Sequence, residues 1–142
     1  MKKPESLRQA LNKSVPFIAN NPECLSIFID SGSVVSTLAA SLSFEYRYTL
    51  NVIVMNFSGD QNLLMAPILG WLTQHQPDIL ANPERREEGF TFEADILNNT
   101  TSDISIDLKL TERVIIKEEN GQMVVEAVSE PNPADPDEWG WQ

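Results

Sequence analysis

Hydrophobic and polar side chains alternate one by one from Ser43 to Phe57. Phe44, Tyr46, Tyr48, Leu50, Val52 and Val54 fall on one side of an extended chain, and Glu45, Arg47, Thr49 and Asn51 on the other, because strand side chains alternate with period 2. From Ile53 to Met55 the second side turns apolar too, as where a strand enters the middle of a sheet. The run exceeds the ~5–6 residues of an ordinary strand. It predicts the central strand around which the fold is organised.

Other periodicities surround it. Leu7, Leu11 and Val15 recur at helical spacing in a first helix opened by Pro4 or Ser6, and a short second helix runs from Ser14 to Asn20, with Ser14 as its cap and Pro16 in its first turn. Leu25–Asp30 and Ser33–Ala39 read as two strands joined by a Ser31-Gly32 hairpin turn, pairing Ile29 with Val34, Leu25 with Leu38 and Phe28 with Val35. Asp60 caps a main helix from Gln61 to Gln76, where Leu64, Ile68, Trp71, Leu72 and His75 form a stripe and Pro67 predicts a kink or a shorter start. Asp78 opens one further turn before Asn82-Pro83.

Strands follow over Phe90–Leu97, Ile104–Leu110, Arg113–Glu119 and Gln122–Val128, with a polar turn at Asn98–Ser102. Asn120-Gly121 is the strongest type I′ hairpin signal in the chain, and it sets Ile116 against Val125 and Val114 against Ala127. The expected fold class is α+β: a mostly antiparallel sheet with helices packed on one face, in a single domain over residues 1–129. Residues 130–142 hold three prolines among acids and are not expected to fold alone.

Charge sharpens this division. Residues 1–117 carry all ten Lys and Arg against fourteen acids, a balance of −4, and residues 118–142 carry seven acids and no base. A net charge of −11 without a basic patch argues against nucleic acid as a partner. No apolar run approaches the ~18 residues of a membrane span. A single cysteine, Cys24, excludes an internal disulfide, and a cytosolic setting fits best.

Reactive constellations are scarce. His75 has neither the nucleophile and orienting partner of a catalytic histidine nor companions at metal-ligand spacing, and reads as a helix-terminal residue. Cys24 lacks a basic or histidine neighbour in sequence. Asp30-Ser31-Gly32-Ser33 lacks the strand-to-helix elbow of a hydrolase. Glu93, Asp95 and Asp107 sit on adjacent strands, but on the face opposite the apolar stripe; acid–base work would require them to converge in a pocket. No catalytic, cofactor or metal residues are assigned.

Four stretches, taken together and in order, carry a family likeness: Lys3-Pro4-Glu5-Ser6-Leu7-Arg8, Leu42–Asn51, Trp71-Leu72-Thr73-Gln74-His75-Gln76-Pro77 and Leu110-Thr111-Glu112-Arg113-Val114. They resemble the tail completion protein R family of peduovirus-type contractile-tailed phages and prophages, and the likeness runs from the N-terminus to about Val128. The resemblance implies a virion assembly protein rather than an enzyme. It would act at the head-proximal end of the tail and make the tail competent to join the head. Its partners would be the tail tube protein and head–tail connector proteins, with no cofactor, no nucleic acid and no membrane. By analogy with other phage tail terminators it implies a homo-oligomeric, sixfold ring, located in the virion tail after assembly in the bacterial cytoplasm.

Two features invite a partner-binding role. Trp139 and Trp141 stand in the acidic, proline-rich end, and tryptophan is a frequent interface anchor; the segment could dock on a neighbouring protomer or fold back on its own sheet. Arg85-Arg86, followed by Glu87-Glu88 in an expected loop, could form pairs between subunits. The competing reading is an acidic adaptor or inhibitor that binds a basic partner surface.

Overall fold

The computed structural model describes residues 1–36 and 43–128. The order of elements is α1 (Lys3–Ser14), α2 (Pro16–Asn20), a 3-10 turn over Pro22–Cys24, β1 (Leu25–Val35), β2 (Phe44–Phe57), α3 (Asn62–His75), α4 (Asp78–Ala81), α5 (Pro83–Arg86), β3 (Phe90–Ile96), β4 (Ser102–Glu119) and β5 (Gln122–Val128). All strands join one antiparallel sheet in the order β1-β2-β4-β3, with β5 also on β4. The fold is the expected α+β arrangement.

Alternation in β2 decides which face is inside. Tyr48, Leu50, Val52 and Val54 are buried, as are Ile104, Ile106, Leu108 and Leu110 of β4. Register places Leu50 opposite Leu108 and Val52 opposite Ile106, and directly opposed residues share a face. Leu7 and Leu11 of α1 and Leu64, Ile68, Trp71 and Leu72 of α3 complete this core from the same side. Each fully buried Leu or Ile contributes roughly 1.5–3 kcal/mol of transfer free energy. Trp71 Nε1 donates to Ser6 Oγ at 3.0 Å, which satisfies the one polar atom the indole brings inside.

Helix ends follow local chemistry. Asp60 Oδ1 accepts from the Asn62 N–H at 2.9 Å, the capping role expected of it. α3 starts at Asn62, well before Pro67, and runs through it. The carbonyl that Pro67 leaves without a helical donor is that of Leu63, an exposed residue whose oxygen can be hydrated. Ser14 does not cap α2; Val15 occupies that position and makes no side-chain bond to it. Pro16 at the first helical position stabilises the start instead, because its missing N–H is not needed there.

Two strand expectations are corrected. Ser31-Gly32 is not a hairpin turn. β1 continues through it, pairing Leu25 with Val54, Ile29 with Leu50, Ser31 with Thr49 and Val34 with Tyr46, so Asp30 is the extra residue of a bulge. A turn there would have left half of the long β2 unpaired on that side. Gly32 serves close approach rather than reversal, since a Cβ would lie 3.1 Å from Tyr48 Cβ. Leu38 lies outside the described residues. Likewise Ile104–Leu110 and Arg113–Glu119 are one strand, because Thr111 and Glu112 pair with Arg47 and Tyr46 and no Gly or Pro interrupts them. The Asn120-Gly121 hairpin forms as expected, with φ of 54° and 78° and with Ile116 opposite Val125.

One polar cluster closes the sheet edge where β3 and β5 leave a gap on β4. Thr111 donates its N–H to Gln76 Oε1 at 3.0 Å, Gln76 Nε2 donates to Thr111 Oγ1 at 3.0 Å and to Asp78 Oδ1 at 2.6 Å, and Lys3 Nζ donates to Gln76 Oε1 at 2.6 Å and to the Thr111 carbonyl. Gln76 is 1% exposed. Replacing Gln76 by Leu keeps its bulk but leaves a buried N–H and an ammonium short of an acceptor. The expected loss is about 3 kcal/mol, read as a lowered urea midpoint with an unchanged m-value.

Candidate functional site

Among the described residues the sheet has two open edges, and exposed apolar side chains lie along both. β1 pairs only with β2, and on the other side β3 and β5 each pair only with β4. Open edges present unpaired backbone groups that favour strand addition. On β1, Phe28 is 46% and Val34 63% exposed; on β3, Phe92 is 55% and Ile96 81% exposed; on β5, Val125 is 67% exposed. Ile29 and Val34 share the helix face through Leu50 and Tyr46, and Phe92 and Val125 share it through Ile106 and Ile116. The helices cover the middle of that face and leave its flanks bare.

The opposite face of the sheet carries charged side chains sorted along β4, interspersed with the exposed apolar Phe28, Met55 and Val124. Along β4 the outward residues change from Asp103 and Asp107 to Lys109, Arg113 and Lys117. Asp95 stands directly opposite Asp103, with Glu93 one pleat away. Asn51, 9% exposed, donates from Nδ2 to Asp107 Oδ1 at 2.7 Å and to Ser105 Oγ at 3.0 Å. A trough of about 500 Å³ crosses the basic half, lined by Arg47 and Lys109 from the strands and by Arg85, Glu88 and Gly89 from the connection into β3.

Sequence-predicted residues fall as follows. Trp139 and Trp141 lie outside the described residues. Arg85 and Arg86 are in the short helix α5, a correction to the expected loop; Asn82 caps it by accepting from Glu84 N–H at 2.9 Å. Arg85 Nη1 pairs with Asp78 Oδ2 at 2.7 Å, and Arg86 Nε donates to the Leu80 carbonyl at 2.9 Å, both at the exposed surface. Arg85 thereby joins Arg47 and Lys109 at the trough, a grouping that no sequence spacing signals. Glu93, Asp95 and Asp107 share a face, and none of them lines the trough or the cleft beside Val128. Among the described residues no group of His, Cys, Asp and Glu is arranged to hold a metal ion.

Tyr48 and His75 are shifted, and each shift has a packing cause. Burial, reinforced by the hydrogen bond its phenol donates to Glu112 Oε2 at 2.7 Å, pushes the Tyr48 hydroxyl far above its ordinary range and keeps it neutral. His75 stacks on Trp71 with ring centroids 4.7 Å apart; burial first, and the Lys3 charge second, lower its pKa below the ordinary 6.5. Neither group is offered a reacting partner. The described surface thus combines open strand edges, a basic trough and an acidic flank.

A family model described as P2 phage tail completion protein R matches residues 1–131, and the chain belongs to that family. Tail completion protein R of Escherichia phage P2 is 54% identical over 136 residues, which span 96% of this chain and 88% of that protein. No solved structure matches significantly.

The His75 shift predicts a pH dependence with a definite sign. The folded protein takes up the imidazole proton less readily than the unfolded chain, so stability is lost as pH falls through the ordinary 6.5 toward the lower folded value. Melting temperatures of the protein and of His75→Gln, compared between about pH 7.5 and 5.5, should show a shallower decline for the variant.

Proposed function

We propose that this protein completes a phage tail as a structural, non-catalytic component, acting at the head-proximal end where the tail joins the head. Family membership over nearly the whole chain supports the tail-completion part of this reading. The observation that carries the assembly mechanism is the pair of unlike open edges, β1 on one side and β3 with β5 on the other. Contacts between two different edges are head-to-tail, and such contacts close into a ring when the rotation per subunit permits. In this reading copies pair edge to edge, bury Phe28 and Val34 against the β3 or β5 flank of the next copy, and present the charged face and loops to the tail tube protein and to a head connector protein. Arg85 and Arg86, at the surface of α5, would exchange acidic partners with a neighbouring copy. The site of action is the virion tail, reached from the host cytoplasm during assembly.

Val34→Lys and Ile96→Lys place a charge on each edge without touching the core, and their effect on folding should stay within about 0.5 kcal/mol. Light scattering of the purified protein, alone and with the tail tube protein, should show a closed oligomer for the wild type and smaller species for both variants. Complementation of a phage lacking the gene should yield tails that fail to join heads. Full infectivity with both edge variants would reject edge pairing; restored infectivity combined with a strictly monomeric wild type on tails would reject the ring.

A further inference from the structure

The chain leaves β5 at Val128, opposite Arg113, and the edge of β4 beyond that point is closed to further strand residues. There the Thr111 N–H is bonded to Gln76 and the Lys109 N–H to the Gly89 carbonyl at 3.0 Å. Val128 is itself part of the wall of a second cleft, about 320 Å³ in volume, on the helix-side flank of the sheet. This lies within the ~300–1,000 Å³ of pockets that enclose a small apolar group. Phe44, Tyr46, Val114 and Val125 supply apolar wall, and the exposed Lys2 supplies positive charge. Phe44 and Tyr46 meet edge to face with centroids 5.1 Å apart. The acid of this cleft, Glu112, is already engaged: it accepts from Tyr48 Oη and from the Lys2 backbone N–H, each at 2.7 Å.

Residues 129–142 offer the complementary chemistry: two tryptophans, four acids and no base. We propose that the segment from Asp135 to Trp141 of the same chain occupies this cleft, with a tryptophan against Phe44, Tyr46 and Val125 and the Asp137 and Glu138 carboxylates toward Lys2. Trp139 follows Val128 by eleven residues, a span of up to roughly 36 Å when extended. That is ample for a return to a cleft that begins at Val128. Tethering sets a local concentration of order millimolar, which favours the chain's own segment over that of another copy. The inference does not depend on ring formation.

Fluorine NMR of the full chain labelled with 5-fluorotryptophan tests it directly. The three tryptophans give three signals, assigned through Trp139→Phe and Trp141→Phe. The expected result is that the Trp139 or Trp141 signal is displaced from the free-label position in the wild type. In Val125→Glu combined with Lys2→Glu that displacement should be lost, while the Trp71 signal stays in place and reports an intact core. Both substituted side chains are exposed, so the fold does not depend on them. Free-label positions for both tail tryptophans in the wild type would overturn the proposal. So would a displacement that survives the double variant, which would put the segment elsewhere, such as the Arg47–Lys109 trough. A displacement lost on dilution together with a fall in mass would also overturn it, in favour of exchange between copies.

Discussion

The structure depends on one side chain doing the work of a strand. Between the end of β5 at Arg113 and the start of β3 at Leu108, the outer edge of β4 would expose backbone groups beside the core. The Gln76 amide fills that gap, accepting from Thr111 N–H and donating to Thr111 Oγ1, while Lys3 bonds the Thr111 carbonyl and Gln76 together. A buried lysine is costly unless its charge is met by acceptors, and here the first turn of α1, the end of α3 and the middle of β4 supply them jointly. Helices and sheet are therefore joined by a polar rivet as well as by the apolar core. Asp78, which accepts from Gln76 and pairs with Arg85, extends the same network to the rim of the trough.

The division between the two sheet faces follows from this anchoring. With α1 and α3 fixed over the middle of one face, the apolar residues at its flanks have no cover within the described chain. The other face carries the charged residues of β3 and β4, and its like-charged neighbours Asp95 and Asp103 weaken the pairing they decorate. Neither feature stabilises the isolated fold.

Much of the architecture was legible in the chain because it rests on local periodicity. The one-by-one alternation of β2, the Leu64-Ile68-Leu72 stripe of α3, the Asp60 cap and the Asn120-Gly121 turn are each written in neighbouring residues. What was not legible depends on partners far away in sequence. Ser31-Gly32 has the composition of a turn, yet a long unpaired β2 draws β1 straight through it and absorbs the mismatch at Asp30. Thr111-Glu112 looked like a break only because their side chains do not continue the apolar alternation. Gln76 gave no sign of its role, since an amide at a helix end is ordinary until Lys3 and Thr111 are seen beside it. The meeting of Arg47, Arg85 and Lys109 depends equally on tertiary placement. The family likeness reached the class of protein where periodicity could not.

The span of the Lys3–Thr111 bond has a consequence in time. Its partners are 108 residues apart, so a ribosome moving at about 5–20 residues per second needs roughly 5–20 s between making one and making the other. Throughout that interval α1 has been synthesised but cannot be locked, and its apolar stripe must wait for β4 before it is sealed. A helix made well before its partner strand is thus among the last described elements to be secured, and the nascent chain passes through a long window in which α1 is open to chaperones and to other copies.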